Sequence, residues 1–136
     1  MADAAVALAA ASALHAGFQI VVTAVVYPAF AEVPEPDWVR HHAAEGRRIV
    51  GPVAIVYAAV LGAVAWAVVD GPSTAGWVAV GANAVAVLLT ATVAAPAHLR
   101  LAKARTPAVL RRLRLADAGR TGAALVAAVS AYVAAL

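Results

Sequence analysis

Four stretches of this chain are almost continuously apolar, and the polar residues either lie between them or recur at regular steps within them. Residues 4–27, 49–69 and 75–97 each supply the roughly 20 apolar residues that an α-helix needs to cross a hydrocarbon layer. The last stretch is shorter, since residues 121–136 would reach only about 24 Å at the helical rise. To span fully it must begin near Asp117, over 117–136, which draws Asp117 and Arg120 to the edge of the apolar layer. Pro28 is predicted to end the first span and Asp70-Gly71-Pro72 to close the second. Ser73 or Thr74 is predicted to cap the third, with Pro96 near its end. The second connector is so short that its two helices must be antiparallel neighbours. The predicted fold is all-α, a four-helix transmembrane bundle forming a single domain over residues 1–136.

The connectors add shorter predicted elements. Pro34-Glu35-Pro36-Asp37 reads as a stiff turn, with Asp37 able to cap a helix that starts at Trp38. Residues 38–48 (WVRHHAAEGRR) read as a short interfacial helix that bends into the second span at Gly51-Pro52. Residues 107–116 (PAVLRRLRLA) read as an amphipathic interfacial helix, Leu110 and Leu113 facing lipid or the bundle and the arginines facing headgroups. The Ala and Gly content suits close packing between membrane helices, and no internal repeat stands out.

Composition supports the membrane reading. The 136 residues are 65% hydrophobic and only 12% charged, with a mean hydropathy of +0.88, well away from a soluble domain. The start, Met1-Ala2-Asp3, has no basic segment, so the first apolar stretch is expected to be retained and not cleaved as a signal peptide. With no Cys, disulfides, thiolate metal sites and Cys nucleophiles are excluded.

Charge sets a predicted orientation. All 10 Lys and Arg residues fall within 40–48 and 100–120. Those two regions share one face if the spans alternate, while the other face carries only Asp3, Asp70 and the termini. By the positive-inside rule the basic face is cytoplasmic and both termini lie outside. The expected location is a cell membrane, crossed several times, of the bacterial inner or plasma type. The expected partners are anionic lipid headgroups at the basic face and a small hydrophobic molecule, with homo-oligomerisation left open. No nucleic-acid motif accompanies the basic residues, so no nucleic-acid partner is expected.

Candidate chemistry lies in a few polar residues. His15, Gln19, Thr23 and Tyr27 recur every four residues and share one stripe of the first helix. An ionisable side chain at the depth of His15 is costly and marks either function or a packed polar core bonded to Gln19, Asn83 or Thr90. The third helix offers Asn83, Thr90 and His98. His41 and His42 sit one turn before Glu45, and Asp117 precedes Arg120 by one turn. The topology gathers these at one mouth of the bundle, where they could serve acid–base chemistry, anion binding or a metal. His and carboxylate without Cys suit zinc, iron or manganese. However, no HExxH or ExxH spacing lies on a spanning helix, and His15 sits too deep to pair with another His around haem. Neither a metal nor a cofactor is expected, although metal binding at His41, His42 and Glu45 stays open.

Three segments, LHAGFQIVVTAVVYPAF, TATVAAPAHLRL and LRRLRLADAGRTGAAL, together resemble the anthrone-oxygenase-like family of small four-helix membrane proteins. The positions that carry the resemblance are Thr92, Pro96, His98, Leu99, Arg120 and Thr121, and it extends over most of the chain. Where that family often has His or Asn before the Arg, this chain has Asp117. The resemblance implies a membrane oxidoreductase that adds oxygen without a cofactor to an aromatic or quinone-like molecule. In that scheme His98 or His15 is the base, Arg120 with Asp117 steadies the oxyanion, and Gln19, Thr23, Tyr27, Asn83, Thr90, His42 and Glu45 bind the substrate. Two other functions fit the residues. One is a non-catalytic accessory subunit of a membrane complex, and the other is a dimeric proton-coupled transporter centred on His15.

Overall fold

The structure, a computed structural model, describes residues 2–136, and these contain helices and no strand. Four helices, Ala2–Glu32, Glu35–Asp70, Thr74–Leu101 and Pro107–Ala135, are long and apolar enough to cross a membrane. They are referred to below as the first to fourth helices. Their outward sides carry large apolar residues, among them Ile55, Val69, Leu88 and Val129. In water such a surface would drive association, whereas in hydrocarbon it is ordinary.

The fourth helix packs lengthwise against both the first and the third, and the second packs chiefly against the first. The contact between the third and fourth helices is a seam of alanines. Ala79, Ala86, Ala124, Ala127 and Ala131 have no exposed surface. Small side chains at intervals of three, four and seven let the backbones approach closely, so dispersion holds the pair together. The second helix is held more loosely, as its buried residues are Trp38, His42, Val56, Val60, Ala63 and Ala67. Between His42 and Val56 none of its side chains is buried.

Ser73 caps the third helix as expected, accepting from the Gly76 amide at 3.3 Å. Gly71 ends the second helix in a left-handed conformation at φ +79°, which only glycine adopts without strain. Thr106 caps the fourth helix, whose first residue is Pro107.

Three sequence expectations need correction. Pro28 does not end the first helix, which continues to Glu32, while the third helix, expected to close near Pro96, runs a few residues further to Leu101. A wide π-type turn precedes each proline, over Val22–Val26 and Thr90–Ala94. The Tyr27 amide reaches back to the Val22 carbonyl, and the Ala95 amide to the Thr90 carbonyl. The extra residue opens the helix where the proline ring would otherwise meet the carbonyl four residues earlier. Residues 38–48 and 107–116 are not separate helices but the first turns of the second and fourth helices, with no break at Gly51-Pro52. Asp37 stands at the start of the second helix without bonding its amides. Its carboxylate accepts instead from Arg40 at 2.7 Å.

One end of the bundle is tied by side chains of the connectors. Trp38 donates its indole N–H to the Leu101 carbonyl at 2.7 Å and meets the Phe30 ring edge-on at 5.3 Å. Arg105 stacks on Trp38 at 5.0 Å and donates to the Phe30 and Val33 carbonyls at 2.9 and 2.8 Å. It thereby satisfies acceptors left open at the end of the first helix. Enlarging the alanine seam should be costly. Ala127→Leu is expected to lose about 1–3 kcal/mol, read as a lowered midpoint of thermal unfolding in detergent. Val129→Leu on the exposed side should leave the midpoint unchanged.

Candidate functional site

Facing the unburied stretch of the second helix is a cavity of about 440 Å³. Its walls are apolar, formed by Phe18, Val22 and Val26 of the first helix, Ile49, Val50 and Val53 of the second, and Ala94, Ala95 and Leu99 of the third. Its polar lining is Gln19, Tyr27, His42, Glu45, Tyr57, Thr90, His98 and Arg120. Both wide turns contribute to this wall, through Val22, Val26, Thr90 and Ala94. The second and third helices are bridged at two places beside it. The Tyr57 hydroxyl lies 2.6 Å from the Thr90 hydroxyl, and His42 Nε2 lies 3.3 Å from His98 Nδ1. Val50 of the second helix and Leu99 of the third line the cavity and are exposed, so they mark its outer edge.

The polar groups are joined into a network around Arg120. That residue is 6% exposed, and its partner Asp117 is 3% exposed. Arg120 Nη2 donates to Asp117 Oδ1 at 3.1 Å and to the Tyr27 hydroxyl at 2.8 Å. Its Nη1 reaches the Thr90 hydroxyl at 3.5 Å. Asp117 receives two further bonds, from Gln19 Nε2 at 3.4 Å and from the Thr23 hydroxyl at 2.8 Å. Thr23 and Thr121 also meet at 2.8 Å. A buried ion pair is tolerated only when its remaining donors and acceptors are met in this way. Arg120 Nε is nonetheless buried without a partner. The Tyr27 hydroxyl lies 3.3 Å from His98 Nε2, which continues the network to His42.

His15 belongs to a second, deeper cluster. Its Nδ1 lies 3.3 Å from Asn83 Oδ1, and Asn83 Nδ2 donates to the Ser12 hydroxyl at 2.9 Å and to the Ala79 carbonyl at 3.1 Å. Because an amide oxygen only accepts, Nδ1 of His15 carries the hydrogen. Its Nε2 is buried with no partner. The ring stands edge-on to Tyr57 at 5.3 Å.

The structure thus divides the residues singled out in the sequence. Gln19, Tyr27, His42, Glu45, Thr90, His98 and Arg120 line one cavity. Asp117 stands behind it as the counter-ion of Arg120, and Thr23 is an exposed side chain bonded to that carboxylate. His15 and Asn83 bond one another away from the lining. The His15 stripe is therefore split, with Gln19 and Tyr27 at the cavity and His15 and Thr23 outside it. Among the described residues no hydrogen bond or ion pair joins His41 to Glu45, and His41 faces the Phe30 ring edge-on at 6.5 Å. Among the described residues, no three His, Asp or Glu side chains are grouped as a metal site would need. Sequence reasoning missed Tyr57, although it is the one hydroxyl-bearing side chain in the second apolar stretch. It also missed Ser12, Phe18 and the anchoring by Trp38 and Arg105.

The chain matches no family model, no curated protein and no solved structure. What the site can do must therefore be argued from its own groups. It presents an apolar slot next to a guanidinium, a phenol and two imidazoles that share hydrogen bonds.

Breaking the ion pair from one side should be severe. Asp117→Ala leaves a buried guanidinium without counter-charge, and a loss of about 3–5 kcal/mol is expected. Thr23→Val removes one bond to the same carboxylate and should cost about 1 kcal/mol. Thermal unfolding of both variants in one detergent gives the comparison.

Proposed function

We propose that this is a multi-pass membrane protein that admits a small hydrophobic molecule to the cavity and acts on its polar head as a cofactor-independent oxygenase. The observation that carries this reading is the placement of Tyr27, His98 and Arg120, hydrogen-bonded to one another, on the lining of an otherwise apolar cavity. Placement in a bilayer is supported by the four apolar helices and their outward valines, leucines and isoleucines. The basic end faces the cytoplasm by the positive-inside rule, with anionic headgroups around its arginines. The first turns of the second and fourth helices then ride at the interface. The outer edge of the cavity, at Val50 and Leu99, is the route by which a lipid-dissolved molecule enters.

Charge narrows the ligand class. Arg120 and Asp117 cancel, so with neutral imidazoles the Glu45 carboxylate at the rim is the charge left on the lining. A ligand bearing a full negative charge would place it uncompensated in a low-dielectric setting, which is expensive. A neutral aromatic ketone, phenol or quinone meets no such cost. It can still accept hydrogen bonds from the site.

The chemistry that the family resemblance implies fits this arrangement. A ring CH₂ conjugated with a carbonyl gives up a proton to the Tyr27–His98 pair. The negative charge that develops on the carbonyl oxygen is met by Arg120. The carbanion passes its electrons to molecular oxygen. The CH₂ becomes a carbonyl holding one oxygen atom, and the other oxygen leaves as water. His15 and Asn83 take no part in this scheme and serve to hold the first and third helices together.

Anthrone is the direct probe, with oxygen uptake and quinone absorbance followed on purified protein. Saturable turnover is expected, falling at least about 100-fold in His98→Ala and in Arg120→Lys, with unfolding midpoints retained. Lysine keeps a positive charge beside Asp117, so a loss there reports on the guanidinium geometry. Unchanged turnover in both folded variants would sink this assignment.

A further inference from the structure

We infer that Tyr27, His98 and His42 form a directional proton path leading from the cavity lining to the basic end of the bundle, with His42 as its outer terminus. The path deepens the proposed function, which supplies the proton. Its geometry, however, stands on hydrogen-bond bookkeeping alone.

The direction follows from Arg120. A guanidinium has donors and no acceptor, so its 2.8 Å contact makes the Tyr27 oxygen an acceptor. Among the described residues its other hydrogen-bond partner is His98 Nε2, at 3.3 Å. The Tyr27 O–H is used only if it donates to Nε2. A neutral imidazole that accepts at Nε2 carries its hydrogen on Nδ1. His98 Nδ1 faces His42 Nε2 at 3.3 Å, and the two ring planes lie only 29° apart. His98 therefore donates to His42, which in turn carries its hydrogen on Nδ1. Among the described residues the side-chain hydrogen bond of His42 is at Nε2, and none is formed at Nδ1. Every hydrogen in the row points the same way, from Arg120 outward.

Such a row transfers a proton in one concerted shift. The Tyr27 O–H bond breaks as His98 Nε2–H forms, and His98 Nδ1–H breaks as His42 Nε2–H forms. The His42 Nδ1 proton then leaves to a water or buffer base. Negative charge remains on the Tyr27 oxygen, where Arg120 meets it, and that oxygen can take a proton from a molecule in the cavity. His42 never needs to touch that molecule. It is a positioning residue that fixes the tautomer of His98 and passes protons on. The placement suits the task, since His42 lies one turn from Trp38, at the end of the bundle where the connectors meet.

The test is the tautomer of each ring. The full chain, labelled with ¹⁵N at histidine and held in lipid nanodiscs, gives separate Nδ1 and Nε2 signals, assigned by single His→Asn variants. His42 and His98 should both be neutral with hydrogen on Nδ1, a form that free imidazoles disfavour in water. Tyr27→Phe removes the first donor. His98 should then move its hydrogen to Nε2 while the His15 signals stay in place, which shows that the fold is intact. His42→Gln retains an acceptor amide for His98 Nδ1–H and should keep the His98 tautomer, whereas His42→Phe should lose it. Hydrogen on Nε2 of His98 in the unaltered protein, or a His98 tautomer indifferent to Tyr27→Phe, overturns the path. Correct tautomers in a protein that neither binds nor oxidises anthrone would uphold the path and remove only the proposed reaction.

Discussion

A guanidinium and a carboxylate on one turn of the fourth helix, both nearly sealed from solvent, set the terms for the interior of this bundle. Neither charge is tolerated there alone, and the pair is tolerated only with its remaining hydrogen-bonding positions filled. Gln19 and Thr23 fill those of Asp117 from the first helix. Tyr27 and Thr90 meet the two terminal nitrogens of Arg120 from the first and third, and only its Nε is left open. Three helices are thus held in one rotational setting about a single ion pair. The same bonds place the Tyr27 hydroxyl, and through it His98, where a cavity can use them.

The two prolines solve a related problem. Tyr27 must face inward just before Pro28, and His98 must do so just after Pro96. A plain helix cannot take proline at these depths without losing a bond and crowding a carbonyl. The wide turns absorb the extra residue, and the side chains beside them, Val22, Val26, Thr90 and Ala94, line the cavity. Irregular backbone and candidate chemistry therefore coincide, as π-type turns often do with functional sites.

Much of this was legible in the sequence and some was not. Four apolar helices followed from length and composition, because a run of some 20 apolar residues has few other uses. Spacing put His15, Gln19, Thr23 and Tyr27 on one inward stripe; His15, Gln19 and Tyr27 are buried, while Thr23 is exposed. The course of the chain through Pro28 was not legible, since a lone proline reads as a stop unless the neighbouring turn is known to widen. The division of the stripe was hidden for a different reason. His15 and Gln19 share a face, but Asn83 claims one and Asp117 the other, and which helix meets which residue is a matter of tertiary register. Tyr57 was overlooked because one hydroxyl among apolar residues carries no periodic signal. Its role appears only when Thr90 is opposite.

The alanine seam has a consequence for how the molecule moves. Alanine has no rotamers to lose, so sealing the third helix to the fourth costs almost no side-chain entropy, and the first helix is bound to the same unit through the ion pair. These three helices behave as a rigid frame. Beside the cavity the second helix meets the third through two small bridges, one between hydroxyls and one between imidazoles, and otherwise near its two ends, at Trp38 and at Ala67. With no side chain buried between His42 and Val56, the second helix is the wall of the chamber with the least to hold it, while the reactive groups on the frame keep their spacing.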